Sequence, residues 1–400
     1  MWPFKRKNET RSNQALDQLL AVGTPTASGQ FVNAENAQSL PAVLCAISTI
    51  SEAIASLPIH VYQRDQQGNK QRARNHNAER LLNTSPNDYQ TAYDLKIALM
   101  RAALMRGNAY AQIEYDGSGK PQSLHWLHPD SVLVKKLANH RLGYQVTLEG
   151  GKIKTLHQEE IIHIKYMSDN GVTGKSPIQI ARETIGLGLA QQIHGARIFQ
   201  NGAMPSGVLE TDAVFKDPKA AQRIRSEFKE KYQGVNKSGE VIFLENGLKY
   251  KPLSITNTDA QWLESRAFTI ADIARMFKLS PLLLQDLSHG TYSNFSEAQR
   301  AFLSQTLRPW LTNLQQAFNS RLVSIRSQGN TFIEFETKDL LRASTEERFA
   351  SYDVAIRNGI VSPNEARASE NMPARKGGDE YSQSWLNQLP KQAVKDRQHD

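Results

Sequence analysis

The stretch Asp169-Asn170-Gly171-Val172-Thr173-Gly174-Lys175-Ser176 carries the residue types of a phosphate-binding loop, set between an expected strand and an expected helix. Such a loop cradles phosphate on successive backbone N–H groups, with a lysine and a hydroxyl completing the cage. Downstream, Val241-Ile242-Phe243-Leu244-Glu245 imitates the apolar strand that ends in an acid. Two residues argue against nucleotide chemistry. Asp169 stands where the pattern needs glycine, and its carboxylate would repel the phosphates. Pro177 removes a backbone donor where the helix N-terminus should hold them. The stretch reads better as a helix-entry turn. His157, Glu159, Glu160 and His163 form a second candidate set, for a metal ion. On one strand His157 and His163 would share a face yet lie roughly 20 Å apart, too far for one ion. His125 and His128 would fall on opposite faces of a strand. Neither Gly-x-Ser-x-Gly nor His-Glu-x-x-His occurs, and the single Cys45, among apolar residues, reads as a buried structural thiol. The sequence points to no catalytic residue, no metal and no cofactor.

The bulk properties narrow the class further. Four hundred residues suffice for two or more domains with their own cores. The charge of +8, from 48 basic and 40 acidic residues, is compatible with nucleic acid nearby. It is too mild for a tight general DNA binder, whose affinity comes from dense phosphate contacts. One cysteine excludes an intrachain disulfide and a cysteine zinc site, and fits a reducing compartment. The basic start Met1–Asn13 is not followed by an apolar run of signal-peptide length. No segment approaches the roughly 18 uninterrupted apolar residues of a membrane span.

Periodicity places the elements. Residues 1–34, rich in Asn, Gln, Ser, Thr and Gly, read as a mobile arm. A helix from Ser39 buries Leu40, Leu44, Ile47, Ile50, Ile54 and Leu57, and Ile59–Tyr62 reads as a strand. Arg64–His76 reads as a loop and Tyr93–Arg106 as a helix. Then the period falls to two: strands are expected at 109–115, 123–127, 132–136, 144–148 and 161–167, with Asp116–Gly119 as a hairpin turn. Residues 35–170 are thus a mixed α+β domain. Ser176-Pro177 opens a helix to about Phe199 that carries Gly186, Gly188 and Gly195, each costing about 1 kcal/mol relative to alanine. Residues 206–253 read as a small βαβ-type unit whose helix, 218–232, is basic. Thr258–Gln261 opens another helix as a capping box, with Leu263, Ala267, Ile270, Ala274 and Phe277 on one face. After the apolar turn Leu282-Leu283-Leu284 comes a polar stretch, then a long helix from Asn294 to Ile325. Pro309 lies inside that helix and should kink it. A strand at 331–336, helices at 343–358 and from Ser362, and a tail-like end complete the chain.

Seven stretches, in order, carry a resemblance. They are Leu81–Asn87, Gly107-Asn108-Ala109-Tyr110, Leu127-His128-Pro129-Asp130, Gly171–Ile178, Gly202–Leu209, Thr291-Tyr292-Ser293-Asn294 and Asn358–Arg367. Each is weak alone. Together, across residues 38–379, they resemble the portal proteins of tailed bacteriophages, of the short type found in long-tailed phages and prophages. Met372-Pro373-Ala374 departs from the double proline frequent in that family.

The resemblance implies an α+β portal fold with wing, stem helices, clip and crown, assembled as a cyclic ring, usually of twelve copies, around a central channel. By analogy, 1–34 is a flexible N-terminal arm, 35–177 the wing, 178–203 the first stem helix and 204–255 the clip. The second stem helix is then 256–278, the tunnel-loop region 279–294 and the long kinked helix 295–330. Residues 331–378 supply a wing strand and the crown, and 379–400 a flexible tail. It implies a virion protein at a capsid vertex, present in the host cytoplasm during assembly. Its partners would be identical subunits, double-stranded DNA in transit, the terminase large subunit, major capsid protein, scaffold and head-tail adaptor proteins, with no membrane. Gly186, Gly188 and Gly195 would let stem helices pack closely. Ser288, His289, Gly290, Thr291, Tyr292, Ser293 and Asn294 would touch moving DNA without gripping it, since a ring of loop cations would tend to arrest it. Arg225, Lys229, Lys231 and Lys237 would form a clip surface for docking or DNA entry. Two readings compete with this conduit: a P-loop-like nucleotide-binding enzyme and a monomeric DNA-binding protein.

Overall fold

The computed structural model describes residues 24–148, 150–200, 207–210, 222, 223, 226, 249–252, 258–286, 292–324, 327–337, 345–370 and 372–382. It divides into two units, Met1–Phe335 and Glu336–Asp400.

In the first unit, β1 (Thr24–Pro25) and β2 (Phe31–Val32) pair antiparallel around a turn in which Thr26 Oγ1 donates to the Gln30 carbonyl. Residues 24–34 of the expected arm are therefore folded. Their composition is polar, but Val32 is fully buried, and Ala27 N–H donates to Glu183 on a distant helix. Next comes α1 (Pro41–Ser56), with proline in its first turn and Val43, Ile47, Ile50 and Ile54 buried. Leu44, expected on that face, is instead 43% exposed, because its position in the heptad lies at the edge of the apolar stripe.

β3 (Ile59–Arg64) is followed by β4 (Lys70–Arg72), inside the run expected to be loop. Its exposed Lys-Gln-Arg sequence has no apolar alternation to signal a strand. Then come α2 (Asn77–Asn83) and α3 (Ala92–Arg106). Glu79 of α2 is buried, and accepts from Val61 N–H and from the Arg72 guanidinium, which ties helix to strands. Lys96 of α3 is also buried. Its Nζ donates to the Leu57 carbonyl at the end of α1 at 2.9 Å, and burial pushes its pKa down to about 8. A cation there meets the negative end of the α1 dipole.

The strands β5 (Asn108–Tyr115), β6 (Pro121–Leu127), β7 (Val132–Lys136), β8 (Leu142–Thr147), β9 (Ile153–His157) and β10 (Ile161–Lys165) form two antiparallel sheets, ordered β10-β5-β6 and β7-β8-β9. β9 has no counterpart among the expected strands. It is an edge strand with only Leu156 buried, so its alternation is faint in sequence. The helix expected from Ser176 breaks at Ala181 into α4 (Pro177–Ile180) and α5 (Arg182–Gln200).

β11 (Gly207–Glu210) and β12 (Lys249–Pro252) pair antiparallel, Gly207 opposite Pro252. The second strand expected in the βαβ-type unit, 240–245, lies outside the described residues, and its expected helix is described only at 222, 223 and 226. α6 (Thr258–Met276) follows, then a 3-10 turn (Pro281–Leu284) and α7 (Tyr292–Ala301). A π-helical stretch (Phe302–Leu307) runs into α8 (Arg308–Leu322), which buries Trp310, Leu311, Leu314, Phe318 and Leu322. β13 (Thr331–Phe335) joins β3 across some 270 residues of sequence, in the order β13-β3-β4.

The second unit contains α9 (Thr345–Arg357) and α10 (Pro363–Ser369), the latter opened by a Ser362–Glu365 capping box. Arg348 grips Glu370 with two 3.0 Å hydrogen bonds. Asn364 accepts from Arg375 N–H and donates to Asp379, and Tyr381 OH donates to Glu365. Residues 379–382, expected in the flexible tail, are therefore held on α10: polar side chains supply contacts that composition does not foretell.

Candidate functional site

The loop that looked most like a phosphate cradle is a structural junction. Gly107 ends α3 in the left-handed conformation, φ +76°, and Asn108 opens β5 beside the loop. Asn108 Oδ1 accepts Gly174 N–H at 2.7 Å, and its Nδ2 donates to the Gly174 carbonyl at 3.0 Å. Lys175 N–H donates to Tyr166 O, and Val172 and Thr173 N–H both donate to Asn170 Oδ1. Ser176 Oγ donates to Met105 O at 2.6 Å and accepts from Gln179 N–H, while Lys175 pairs with Asp169. The N–H groups of Val172, Thr173, Gly174 and Lys175, which a phosphate would need, are thus engaged within the protein. Two of the glycine-containing motifs read from the sequence, at 107 and 174, meet here backbone to backbone.

The proposed metal residues are likewise separated and engaged. His157 ends β9 and His163 lies on β10, so they do not share a strand. A short 3-10 turn intervenes, where His157 N–H donates to Glu160 and Glu159 pairs with Arg141. His125, on β6, faces Glu114 and Ser123, and His128, just past that strand, accepts from Asp130 N–H. Among the described residues no group of three His, Cys, Asp or Glu could hold a metal ion. No described helix is long and apolar enough to cross a membrane.

Of this set, His163 is a structural link between strands. Its Nε2 lies 3.0 Å from Asn108 Oδ1 and its Nδ1 3.2 Å from Tyr144 OH. Asn108 Oδ1 can only accept, so Nε2 carries the proton and Nδ1 receives the tyrosine hydroxyl. Burial, with Lys165 and Arg321 adding repulsion, pushes its pKa down to about 3. A neutral imidazole therefore links β8, β10 and the Gly174 turn. Its sequence signal was its place in the strand expected at 161–167.

The two long helices that follow the junction pack together. Gln191 Nε2 of α5 donates to Ser265 Oγ of α6 at 2.5 Å, and Thr269 Oγ1 donates to Gln191 Oε1 at 3.1 Å. Of the three glycines, Gly188 faces Leu40 and Thr269, where a Cβ would come within 2.9 and 3.2 Å. Gly186 faces Thr26 of the β1–β2 hairpin, 2.5 Å from where a Cβ would sit, and Gly195 is buried. Close approach at Gly186 and Gly188 is thus required within a single chain.

Ser288, His289, Gly290 and Thr291 lie outside the described residues, as do Arg225, Lys229, Lys231 and Lys237. Tyr292, Ser293 and Asn294, expected in the loop, form the first turn of α7. Their polar character does not exclude helix when an amphipathic run follows. Pro309 enters α8 directly after the π-helical stretch, where Arg308 N–H donates to Leu303 O, five residues back. Proline clashes with the carbonyl four residues before it, and a wide turn gives the ring clearance. α8 is fastened to the wall of strands by Asn313, which donates to Lys165 O at 2.7 Å, and by Trp310 stacked on Tyr166.

A family model described as phage portal protein matches residues 41–371. The chain belongs to the phage portal protein family. It is 29% identical over 380 residues to the probable portal protein of Streptomyces phage phiC31, covering 90% of this chain and 81% of that one. It is 29% identical over 351 residues to the portal protein of Enterobacteria phage HK97, covering 87% and 82%. Among solved structures it resembles the neck of an empty gene transfer agent particle computed with C6 symmetry, with TM-score 0.60 and 26% identity over 84% of this chain and 91% of that one. The HK97-family phage portal protein of Corynebacterium diphtheriae, at TM-score 0.57 and 17% identity, covers 78% of this chain and 98% of its own, and shares the fold. The α+β arrangement described above is therefore the portal fold, and the chain is a portal protein, a head-to-tail connector of the phage type.

Proposed function

We propose that twelve copies of this chain close into a ring at one capsid vertex and form the channel through which double-stranded DNA is packaged and later ejected. The observation that carries this reading is the family match across residues 41–371. The neck of a native gene transfer agent particle, computed with C12 symmetry, supports the subunit number; it aligns with 91% of this chain at TM-score 0.60. In this reading residues 35–177 with β13 are the wing, α5 and α6 the stem, 204–255 the clip, and the helices after 338 the crown. The ring is a conduit without chemistry of its own. The terminase large subunit supplies the ATP-driven motor at the clip, head-tail adaptor proteins replace it, and capsid and scaffold proteins surround the wing. The protein resides in the virion, and in the host cytoplasm during assembly.

The mass of the assembled particle tests the ring. Twelve copies of the 44.9 kDa chain give about 540 kDa, with a central hole in negative-stain images. A 45 kDa monomer that binds ATP would overturn the assignment; a closed ring of half the mass would overturn the subunit number alone.

The tunnel residues make a second prediction. Tyr292→Ala should leave ring mass unchanged and alter the amount of DNA packaged or retained, since the tyrosine narrows the bore beside neutral polar neighbours. Normal DNA content in the variant particles counts against that role. Reversing the charge of Lys229 and Lys231 together should impair packaging or tail joining without affecting thermal stability, and a normal phage yield would remove the clip assignment.

A further inference from the structure

A cleft of about 550 Å³ opens in the first unit between the β5–β6 hairpin, the residues that enter α2, the turn before β10 and the C-terminal end of α8. Its walls are fixed. Tyr115 and Pro121 face each other across the hairpin, and Tyr115 OH donates to the Glu159 carbonyl at 2.6 Å. The Glu159 carboxylate is engaged by Arg141 and Gln158. Leu322 and Val323, both buried, close the floor.

Arg321 breaks this pattern of satisfied groups. It lines the cleft half-buried, at the last turn of α8, and no hydrogen bond or ion pair engages its guanidinium among the described residues. Its charge acts on groups of three neighbouring strands, lowering the pKa of His163 and Lys165 and opposing the rise at Tyr115 and Tyr144. A guanidinium that is partly desolvated and without a counter-ion is a strong seat for a carboxylate, which it can hold through two parallel hydrogen bonds. Lys120, also in the lining, adds a second positive charge. The exposed Tyr115, 37% accessible, and Pro121 offer apolar surface in the same cleft.

We propose that this cleft is a docking site for an acidic peptide segment of a partner protein, with an Asp or Glu carboxylate on Arg321 and apolar neighbours against Tyr115 and Pro121.

Saturation-transfer NMR, which detects weak binding to a large protein, provides the test. The probes are the end-capped pentapeptides Gly-Leu-Asp-Leu-Gly and Gly-Leu-Asn-Leu-Gly. The aspartate peptide should bind the full chain about tenfold or more tightly than the asparagine peptide, and Arg321→Gln should weaken it by a similar factor. Arg321→Lys should restore part of the binding, and Arg64→Gln, at the end of β3 and outside the cleft lining, should leave it intact. Equal binding of the two peptides, or full binding by Arg321→Gln, would overturn the proposal. Displacement of the peptide by oligothymidylate would reassign the cleft to nucleic acid. The particle mass of Arg321→Gln, measured in parallel, should equal that of wild type. A loss of rings would instead make Arg321 a contact between copies of this chain and would also overturn the partner assignment.

Discussion

Gly174→Ala should destabilise the chain by about 3 kcal/mol or more, whereas Gly171→Ala in the same loop should cost only about 1 kcal/mol. The difference lies in what surrounds each glycine. A Cβ at 174 would strike the Gly107 carbonyl and come within 2.7 Å of the backbone N and O of Tyr166. These atoms belong to backbone held by the Tyr166-to-Gly107 and Lys175-to-Tyr166 hydrogen bonds, so no flexible side chain can yield. Gly171 has an unfavourable φ of +68° for alanine but open space around it. Gly107 is the reciprocal case, since its Cβ would strike the Lys175 carbonyl and its φ is +76°. Urea denaturation of the three variants, followed by circular dichroism, measures the ranking. A Gly174→Ala midpoint close to that of Gly171→Ala would mean that the junction relaxes at little cost. The test bears on function because this junction passes the chain from the strands into α4 and α5, so its geometry sets the direction of the helix pair.

Acidification should expose the second effect. Relative to His163→Gln, wild-type stability should fall by about 1.4 kcal/mol per pH unit below pH 6.5, reaching about 4 kcal/mol near pH 3.5. The sign follows from proton counts. The folded protein keeps His163 neutral down to about pH 3, whereas the unfolded chain takes up its proton below the ordinary value of 6.5. In that window the unfolded state binds the extra proton, and lower pH favours it. Above pH 6.5 both states are neutral and the contribution vanishes. Glutamine can donate to Asn108 and accept from Tyr144 without titrating, so it retains the contacts and removes the pH term. Carboxylates titrate in both proteins and cancel in the difference. A stability difference that stays constant from pH 7 to pH 4 would show that His163 is not buried as neutral imidazole in the folded protein.

Residues with strong local signals were legible without a structure. The helices Pro41–Ser56 and Ala92–Arg106, the Asp116–Gly119 hairpin and the Ser176 and Ser362 caps follow from periodicity and capping, which act over fewer than ten residues. The failure of the phosphate-loop reading was legible too, from Asp169 and Pro177 alone. So was the family, because ordered short motifs survive where overall identity is low. What the sequence hid were contacts between distant residues. β9 and β4 lack apolar alternation because they are edge strands whose outward residues face solvent. The arm from residue 24 and the segment 379–382 have polar compositions, and only their partners, Glu183 and Asn364, reveal that they are folded.

The sequence by itself determined the local elements, the absence of a working phosphate loop and the portal family, since each depends on neighbouring residues or on motif order. Only the tertiary structure decided that Gly107, Asn108, His163 and Gly174 form one junction, and that Arg321 lines a cleft with no counter-ion among the described residues. The pairing of β13 with β3 and the excursion closed by β11 and β12 belong to the same class. The physical reason is common to all of them. Burial, hydrogen-bond satisfaction and the loss of a charge's partner are properties of what surrounds a residue in space, and chain neighbours carry almost none of that information.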